Sequence, residues 1–173
     1  NEIGDMVLPA KNTTPDPGEL HVLFMRMAQA GCEYVVMETS SHALDQKRLA
    51  GCRFAVGVFT NLTQDHLDYH GTMENYYQAK KKLFDLSDAA VINIDDEYGR
   101  RLTQEIPCPA ITFSIHTDTA DFTAKDIRPT VDRNRFTIVG NAQIGRVSFS
   151  MPGEFSVANA MAAGVTTRSE ERR

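Results

Sequence analysis

Hydrophobic and polar positions alternate along the first two thirds of the chain in a repeating order of strand and helix. Between residues 19 and 30, Leu20, Leu23 and Met27 recur at helical spacing, and Gly31 ends the predicted helix. Short apolar runs with many β-branched residues indicate buried strands between such helices. We predict strands over residues 34–37, 54–59, 89–94 and 110–113, and further helices over residues 72–86, capped by Thr72, and 96–104.

The pattern changes after Asp118, where short strands with polar turns replace the alternation. The strands predicted there cover residues 121–127, 135–139 and 146–151. Pro152 and Gly153 then lead into an alanine-rich helix that develops from Val157. We therefore predict one α/β domain over residues 1–173, with a mainly parallel sheet flanked by helices and a small antiparallel β annex.

The composition is that of an ordinary globular domain and excludes several classes of partner. Of the 173 residues, 42% are hydrophobic and 24% are charged, which is enough apolar material for a core. The net charge of −5 gives no general attraction to nucleic acid or to anionic membranes, and no apolar run is long enough to span a bilayer. Three cysteines, Cys32, Cys52 and Cys108, form neither a disulfide framework nor a zinc pattern. We expect a cytoplasmic monomer with buried free thiols and with neither a nucleic-acid nor a membrane partner.

Both ends of the sequence resemble points of truncation. The chain begins at Asn1 without a methionine, and a polar, charged run over residues 166–173 replaces the apolar continuation of the last helix. The sequence also contains no glycine-rich phosphate loop. We therefore expect a piece of a longer enzyme, with a truncation or an unrelated tail at its end.

Two polar side chains follow predicted strands, where ligands of open α/β sheets collect. Glu38 comes directly after the strand over residues 34–37, and His66 lies beyond the strand over residues 54–59. A carboxylate and an imidazole that meet there suit a divalent cation, Mg²⁺ or Mn²⁺. The alternatives are a solvated loop acid for Glu38 and a hydrogen-bonded structural histidine for His66, and spacing alone does not separate them.

One lysine falls on the apolar face of the predicted helix over residues 72–86. Lys80 follows Tyr76 by four positions and Tyr77 by three, which places it on the apolar stripe. Burying the charged ammonium of a lysine costs free energy unless the charge is paired or chemically neutralised. Three interpretations remain open: a lysine that extends along the edge of the stripe to solvent, a phosphate-binding ammonium, or a lysine converted to a carbamate that could ligate a metal.

These residues belong to a longer ordered series that resembles the central domain of the Mur ligases, and within them most closely the UDP-N-acetylmuramoyl-tripeptide synthetases, which add the third residue of the peptidoglycan stem peptide. The segments that carry the resemblance are Asn12-Thr13-Thr14-Pro15-Asp16, Met37-Glu38-Thr39-Ser40-Ser41-His42-Ala43-Leu44, Phe59-Thr60-Asn61-Leu62, Gln64-Asp65-His66-Leu67-Asp68-Tyr69-His70-Gly71-Thr72-Met73, Ala79-Lys80, Val91-Ile92-Asn93-Ile94-Asp95-Asp96, Pro152-Gly153 and Asn159-Ala160. The series covers nearly the whole chain, and it implies the P-loop-like α/β fold of that central domain.

The resemblance also implies a role for each matching polar residue. The residues that would hold the UDP-N-acetylmuramoyl-peptide are Asn12, Thr13, Thr14, Ser40, Gln46 and Arg48. Those that would bind Mg²⁺ are Glu38, His66 and a carbamylated Lys80, of which His66 and Lys80 would be catalytic. Asn93 and Asn159 would contact ATP.

The implied reaction is an ATP-dependent ligation through an acyl phosphate. The partners would be UDP-N-acetylmuramoyl-L-alanyl-D-glutamate and an amino acid, meso-diaminopimelate or L-lysine. The family's phosphate loop, its N-terminal uridine-binding domain and its C-terminal amino-acid domain all lie outside this sequence, so the 173-residue piece alone is expected to be inactive.

Two other interpretations compete with this one. The first is a nucleotide- or ligand-binding module without catalysis, because only part of a site is present. The second is the related folylpolyglutamate synthetase, which shares the ATP-binding core; the strings Ser40-Ser41-His42 and Asp65-His66-Leu67-Asp68-Tyr69-His70-Gly71 argue against it.

Overall fold

Two compact units make up the chain. The structure, a computed structural model, describes residues 1–4, 6–140 and 143–170, with only the backbone described at residues 143, 169 and 170. Unit 1 comprises Asn1–Cys52 and His66–Leu83, and unit 2 comprises Arg53–Asp65 and Phe84–Arg173.

Unit 1 consists of helices and one short hairpin. In the hairpin, β1 (Glu2–Ile3) pairs antiparallel with β2 (Met6–Val7). The helices are α1 (Pro17–Gln29), α2 (Ser41–Asp45), α3 (Leu67–His70) and α4 (Met73–Asp85), of which α4 runs two residues into unit 2. The buried apolar side chains of the unit are Ile3, Leu20, Leu23, Ala43, Leu44, Leu49, Tyr76, Tyr77, Ala79 and Leu83.

The two longer helices of unit 1 confirm the periodicity of the sequence. Helix α1 begins with Pro17, whose fixed φ suits the first turn and whose missing N–H would have no helical partner there. At α4, the Thr72 hydroxyl accepts a hydrogen bond from the Asn75 amide at 3.1 Å, so the predicted cap is confirmed.

The strand predicted over residues 34–37 is wrong. This segment has no strand pairing in the structure, and Tyr34, Val35 and Val36 are 75%, 45% and 97% exposed. A run of apolar β-branched residues shows that a segment would fit a half-buried pleated surface, but it does not supply the neighbouring strand that must satisfy its backbone. Glu38 therefore lies in an irregular segment rather than at the end of a strand.

Unit 2 is built on one six-stranded mixed sheet. The strands are β3 (Phe54–Phe59), β4 (Ser87–Asn93), β5 (Ala110–Ser114), β6 (Phe122–Pro129), β7 (Asn134–Gly140) and β8 (Gln143–Phe149), in that spatial order. The pairs from β3 to β6 are parallel, and β6, β7 and β8 are antiparallel. The α/β fold with an antiparallel annex is confirmed, and β6 joins the annex to the parallel part as a single sheet.

Two helices cover this sheet. Helix α5 (Glu97–Glu105) is capped by Asp96, whose carboxylate accepts from the Tyr98 and Gly99 amides at 2.8 and 3.3 Å. Helix α6 (Glu154–Glu170) begins three residues before the predicted start and continues through the polar run, of which residues 171–173 lie outside the described part. The buried core of α6 and the sheet consists of Val91, Phe113, Phe122, Ala124, Phe136, Val157, Met161, Ala162 and Val165.

Within the described ranges, no helix combines the length and the apolar character needed to cross a membrane. The three cysteines are free and only half-buried, so the expected burial of their thiols is partial.

Candidate functional site

The C-terminal end of α2 presents two of the predicted substrate residues, Gln46 and Arg48. The chain reverses at Lys47, which has a φ of 55° in the left-handed region. The Arg48 amide donates to the Ala43 carbonyl at 2.8 Å and the Lys47 amide to the Leu44 carbonyl at 3.3 Å. This pattern is a Schellman motif with lysine in the position that glycine usually occupies. The strained reversal therefore sets where both side chains leave the helix.

The start of α2 is tied to the loop before α1 by Thr14. This threonine is 1% exposed; its hydroxyl donates to the Glu38 carbonyl at 3.0 Å and accepts from the Ser40 amide at 3.0 Å. The Ser40 hydroxyl in turn accepts from the Ala43 amide at 3.2 Å and so caps the helix. Thr14 and Ser40, both predicted substrate residues, are thus also structural ties.

Arg48 joins this loop to the end of α2. Its Nη1 donates to the Thr14 carbonyl at 3.2 Å, its Nε donates to the Gln46 side-chain oxygen at 2.9 Å, and the same Nε lies 3.5 Å from the Asp16 carboxylate. The structure therefore brings Thr14, Ser40, Gln46 and Arg48 together in unit 1. Asn12 and Thr13 are exposed in the adjoining loop.

Histidine and tyrosine rings form a cluster beside α2. The His42 ring centroid lies 5.0 Å from that of His66, 4.1 Å from Tyr69 and 5.5 Å from His70. The His70 ring stacks on Tyr76 at 5.1 Å, and its Nε2 lies 2.9 Å from the Ser41 hydroxyl. Burial lowers the pKa of His70, and the neighbouring His42 lowers it further. The neutral form of the His70 imidazole is therefore favoured.

His66 stands at the edge of the cluster in a left-handed conformation, with a φ of 52°, immediately before α3. Its ring is exposed and lies 5.9 Å from the Tyr76 ring centroid. Left-handed non-glycine residues are uncommon, and histidine is among the types enriched there. Such an outlier supports a hypothesis of function at this position.

Lys80 is half-buried on the inward side of α4, as its spacing predicts. Its Nζ lies 5.9 Å from the centroid of the Tyr76 ring. Burial lowers the pKa of the Lys80 amine, and the Glu38 carboxylate partly opposes this effect. The amine is therefore easier to neutralise than that of a solvated lysine.

The donor set for a divalent cation is partial. Among the described residues, no group of three or more His, Cys, Asp or Glu side chains is gathered closely enough to hold a metal. Glu38 and His66, both exposed, supply one carboxylate and one imidazole. This set fits Mg²⁺ only as an incomplete shell, because Mg²⁺ usually binds one or two protein carboxylates and completes its shell with water and phosphate oxygens.

The two predicted ATP residues lie in unit 2. Asn93, at the end of β4, is 7% exposed; its Nδ2 donates to the Thr60 carbonyl at 2.9 Å and its Oδ1 accepts from the Asp95 amide at 3.0 Å. Asn93 therefore shapes the loops that follow β3 and β4. Asn159 is exposed on the second turn of α6. Contact of either side chain with ATP stays a prediction.

A polar cavity of about 470 Å³ lies within unit 1, lined by Asp45, Tyr69, His70, Asn75, Gln78, Ala79 and Lys82. Sequence reasoning missed Asp45, Tyr69 and Lys82 as members of a common site. The partners lie 24 and 37 positions apart, and only the fold brings them together. The sole feature of the sequence that pointed to this site was the dense run of polar and aromatic residues around His66.

Comparison with known proteins identifies a family whose sequences are similar to this chain. The model of the Mur ligase middle domain matches residues 1–167. A UDP-N-acetylmuramoyl-L-alanyl-D-glutamate–2,6-diaminopimelate ligase of Clostridium tetani is 44% identical over 161 residues, which is 93% of this chain and 33% of that protein. The ligase of the same name from Synechocystis is 47% identical over 162 residues, 89% of this chain and 31% of that protein. The chain thus spans about a third of the length of these relatives.

Solved structures agree with this match. The structure of a UDP-N-acetylmuramoyl-L-alanyl-D-glutamate–2,6-diaminopimelate ligase superposes with a TM-score of 0.84 at 33% identity, covering 92% of this chain and 34% of that one. A MurF ligase from Thermotoga maritima in complex with ADP has a TM-score of 0.59 at 17% identity, covering 85% of this chain and 36% of that one. The second likeness shows the fold alone.

Proposed function

Because the chain belongs to the Mur ligase middle-domain family, we propose that it is the incomplete central domain of an ATP-dependent ligase. The full-length protein would join 2,6-diaminopimelate to UDP-N-acetylmuramoyl-L-alanyl-D-glutamate, the reaction that the names of its relatives describe. The observation that carries the proposal is Lys80, a half-buried amine whose pKa is lowered by burial and partly raised by the Glu38 carboxylate. The segment alone would be inactive, since it spans a third of those relatives.

On the substrate side, we propose that the exposed end of α2 binds the muramyl peptide. The Arg48 guanidinium and the Gln46 amide offer donors suited to carboxylate, phosphate and peptide oxygens. Thr14 and Ser40 fix the start of α2 through their hydrogen bonds, and the Thr14 carbonyl accepts a hydrogen bond from Arg48 Nη1. Asn12 and Thr13, exposed in the same loop, complete the proposed surface.

Near Lys80, Glu38 and His66 would hold Mg²⁺, which when bound neutralises charge on phosphate oxygens. The neutral Lys80 amine would attack carbon dioxide and lose one proton, leaving an anionic carbamate. The lowered pKa of Lys80 favours the neutral amine that this step requires. The carbamate would add a third anionic or metal-binding group to the incomplete donor set.

The ligation would proceed in two balanced steps. The γ-phosphoryl group of ATP passes to the glutamate carboxylate of the muramyl peptide, which gives an acyl phosphate and ADP. The diaminopimelate amine then attacks the acyl carbon and loses a proton, phosphate leaves, and an amide bond forms. Asn93 and Asn159 of unit 2 would contact the nucleotide. Positioning and electrostatic neutralisation supply most of the acceleration in such transfers.

The proposal also covers the cellular compartment, the oligomeric state and the missing phosphate loop of the full-length protein. The half-buried free cysteines support a reducing cytoplasm, where the full-length protein would act as a monomer. A phosphate loop, G-x-x-G-K-[ST], should be encoded upstream of Asn1. Sequencing of that region tests the incomplete-domain assignment directly.

The activity test uses the full-length protein, with phosphate release and product mass as readouts. We expect a diaminopimelate-containing product from the wild type and a rate at least about 100-fold lower for Lys80→Ala, which lacks the proposed ligand. A small added carboxylic acid should partly restore Lys80→Ala by replacing the carbamate. Lys125→Ala, at an exposed lysine of unit 2, is the matched control. A wild type without product would contradict the proposed function, and a fully active Lys80→Ala without added acid would contradict the role of Lys80.

A further inference from the structure

Five side chains of unit 1 form a continuous series of polar contacts that ends at the proposed substrate surface. The Lys82 Nζ donates to Asp45 Oδ1 at 2.7 Å, and the Tyr69 hydroxyl donates to Asp45 Oδ2 at 3.1 Å. The Gln46 Nε2 donates to the Tyr69 oxygen at 3.4 Å, and the Arg48 Nε donates to Gln46 Oε1 at 2.9 Å. We call these five residues the polar relay.

The donor and acceptor chemistry of the relay allows only one direction. The Asp45 carboxylate can only accept, so the Tyr69 hydroxyl must donate to it and offer its lone pair to Gln46. At the other end, the Arg48 guanidinium can only donate, so it requires the oxygen of the Gln46 amide. Both ends therefore select the same orientation of that amide, with nitrogen toward Tyr69 and oxygen toward Arg48.

The Lys82–Asp45 end of the relay is held by charge, and the Tyr69 ring is held by packing. Hydrogen bonds from Lys82 and from Tyr69 hold the pKa of the Asp45 carboxyl below its usual range, so Asp45 is a permanent acceptor near neutral pH. The Tyr69 ring lies 4.1 Å from His42 and 4.8 Å from His70, measured between centroids. These contacts leave its hydroxyl directed at Asp45 and Gln46.

We propose that Asp45, Tyr69 and Lys82 are positioning residues that hold the Gln46 amide and the Arg48 guanidinium ready for the muramyl-peptide substrate. The inference rests on the proposed function. Asp45 and Lys82 act through Tyr69, and neither touches the substrate. Preorganised donors lose less entropy on binding, so the relay should raise substrate affinity rather than the rate of the chemical steps.

The decisive variant is Tyr69→Phe in the full-length enzyme, since it removes one hydroxyl and keeps the ring. We expect the KM for UDP-N-acetylmuramoyl-L-alanyl-D-glutamate to rise about fivefold, the loss typical of one hydrogen bond. The kcat and the KM for ATP should change by less than about twofold, because a positioning role concerns one substrate. The matched control is Tyr34→Phe, the same change at a tyrosine of unit 1 that is 75% exposed.

Rescue by a conservative change separates positioning from general stability. Lys82→Met leaves Asp45 without this donor and should raise the same KM, whereas Lys82→Arg keeps a donor and should restore it. Tyr69→Phe and Lys82→Met combined should cost less than the product of the single effects, since both interrupt one series. An unchanged KM in Tyr69→Phe, or equal increases for both substrates, overturns the relay.

A crystal structure tests the positioning role of the relay independently of enzyme activity. In a crystal structure of the Tyr69→Phe protein, the Gln46 amide should leave the position 2.9 Å from Arg48 Nε that it has here. An amide in the same place as in a wild-type crystal overturns the proposal. A wild-type protein that forms no product would contradict the proposed function. In that case, the two crystal structures alone would test whether Tyr69 positions the Gln46 amide.

Discussion

At the scale of single residues, the buried His70 makes the stability of unit 1 depend on pH. This residue is 7% exposed, and its ring centroid lies 5.5 Å from that of His42. Burial lowers its pKa most, His42 and His66 lower it further, and the Asp45 and Asp68 carboxylates oppose these effects. The folded-state pKa lies below the unfolded value of about 6.5, so the unfolded chain binds more protons between the two values. Stability is therefore fully present above about pH 6.5 and falls as the pH drops toward the folded pKa.

We expect the free energy of unfolding to fall between pH 7 and pH 5 with a slope of up to about 1.4 kcal/mol per pH unit from this one group. His70→Gln should flatten that slope, and denaturant unfolding at several pH values measures it. His21→Gln, at an exposed histidine of the same unit, is the control. An equal slope in wild type and His70→Gln would show that this imidazole does not set the dependence.

The candidate site was only partly predictable at this scale. The half-burial of Lys80 follows from its spacing to Tyr76 and Tyr77, because helical periodicity is a local property. The contact between Gln46 and Tyr69 joins residues 23 positions apart, and no local pattern encodes it. Sequence spacing therefore predicts the partial burial of Lys80, but it does not predict that Tyr69 contacts and orients the Gln46 amide.

At the scale of elements, α5 packs against the end of β4 through Gly99. A β-carbon at this position would lie 1.9 Å from the Asn93 carbonyl oxygen and 3.0 Å from its carbon. Both are backbone atoms, so the helix and strand would have to separate. Only glycine permits this approach, which also sets the loop around Asn93.

We expect Gly99→Ala to destabilise unit 2 by about 3 kcal/mol, the upper part of the range for overpacking. Gly18→Ala is the matched control because nothing lies within 4 Å of its added β-carbon in α1. That change should alter the free energy of unfolding by less than about 1 kcal/mol, since alanine favours a helix slightly. Urea unfolding of both variants measures the difference, and similar stabilities would show that α5 can shift without cost.

The elements also show why one strand prediction failed while the others were confirmed. The runs at β3, β4 and β5 each gain parallel partners, and Val91 of β4 and Phe113 of β5 are completely buried. The run over residues 34–37 is also apolar and rich in β-branched residues, but it has no strand pairing in the structure. Composition reports how well a segment suits a sheet, whereas pairing depends on distant segments.

At the scale of the whole molecule, an apolar core forms in unit 2, where α6 packs on the sheet. Met161 is fully buried there among aromatic and β-branched side chains from β4, β5, β6 and β7. Truncation to alanine removes its transfer free energy and leaves a cavity, because close-packed interiors relax only partially. The polar residues that follow in α6 do not disturb this core, since Val165 is also buried and the Thr166 hydroxyl bonds the Ala162 carbonyl at 2.7 Å.

Met161→Ala should therefore destabilise unit 2 by about 3 kcal/mol, within the range of about 2–5 kcal/mol for such truncations. Met161→Leu conserves most of the volume and should cost less than about 1.5 kcal/mol. Urea unfolding followed by circular dichroism separates the two, provided that the dependence of the free energy on urea is unchanged. A cost below about 1 kcal/mol for Met161→Ala would mean that α6 adds little to the stability of the sheet. Asn159 lies on the same helix, so a proposed ATP residue would then stand on a weakly held element.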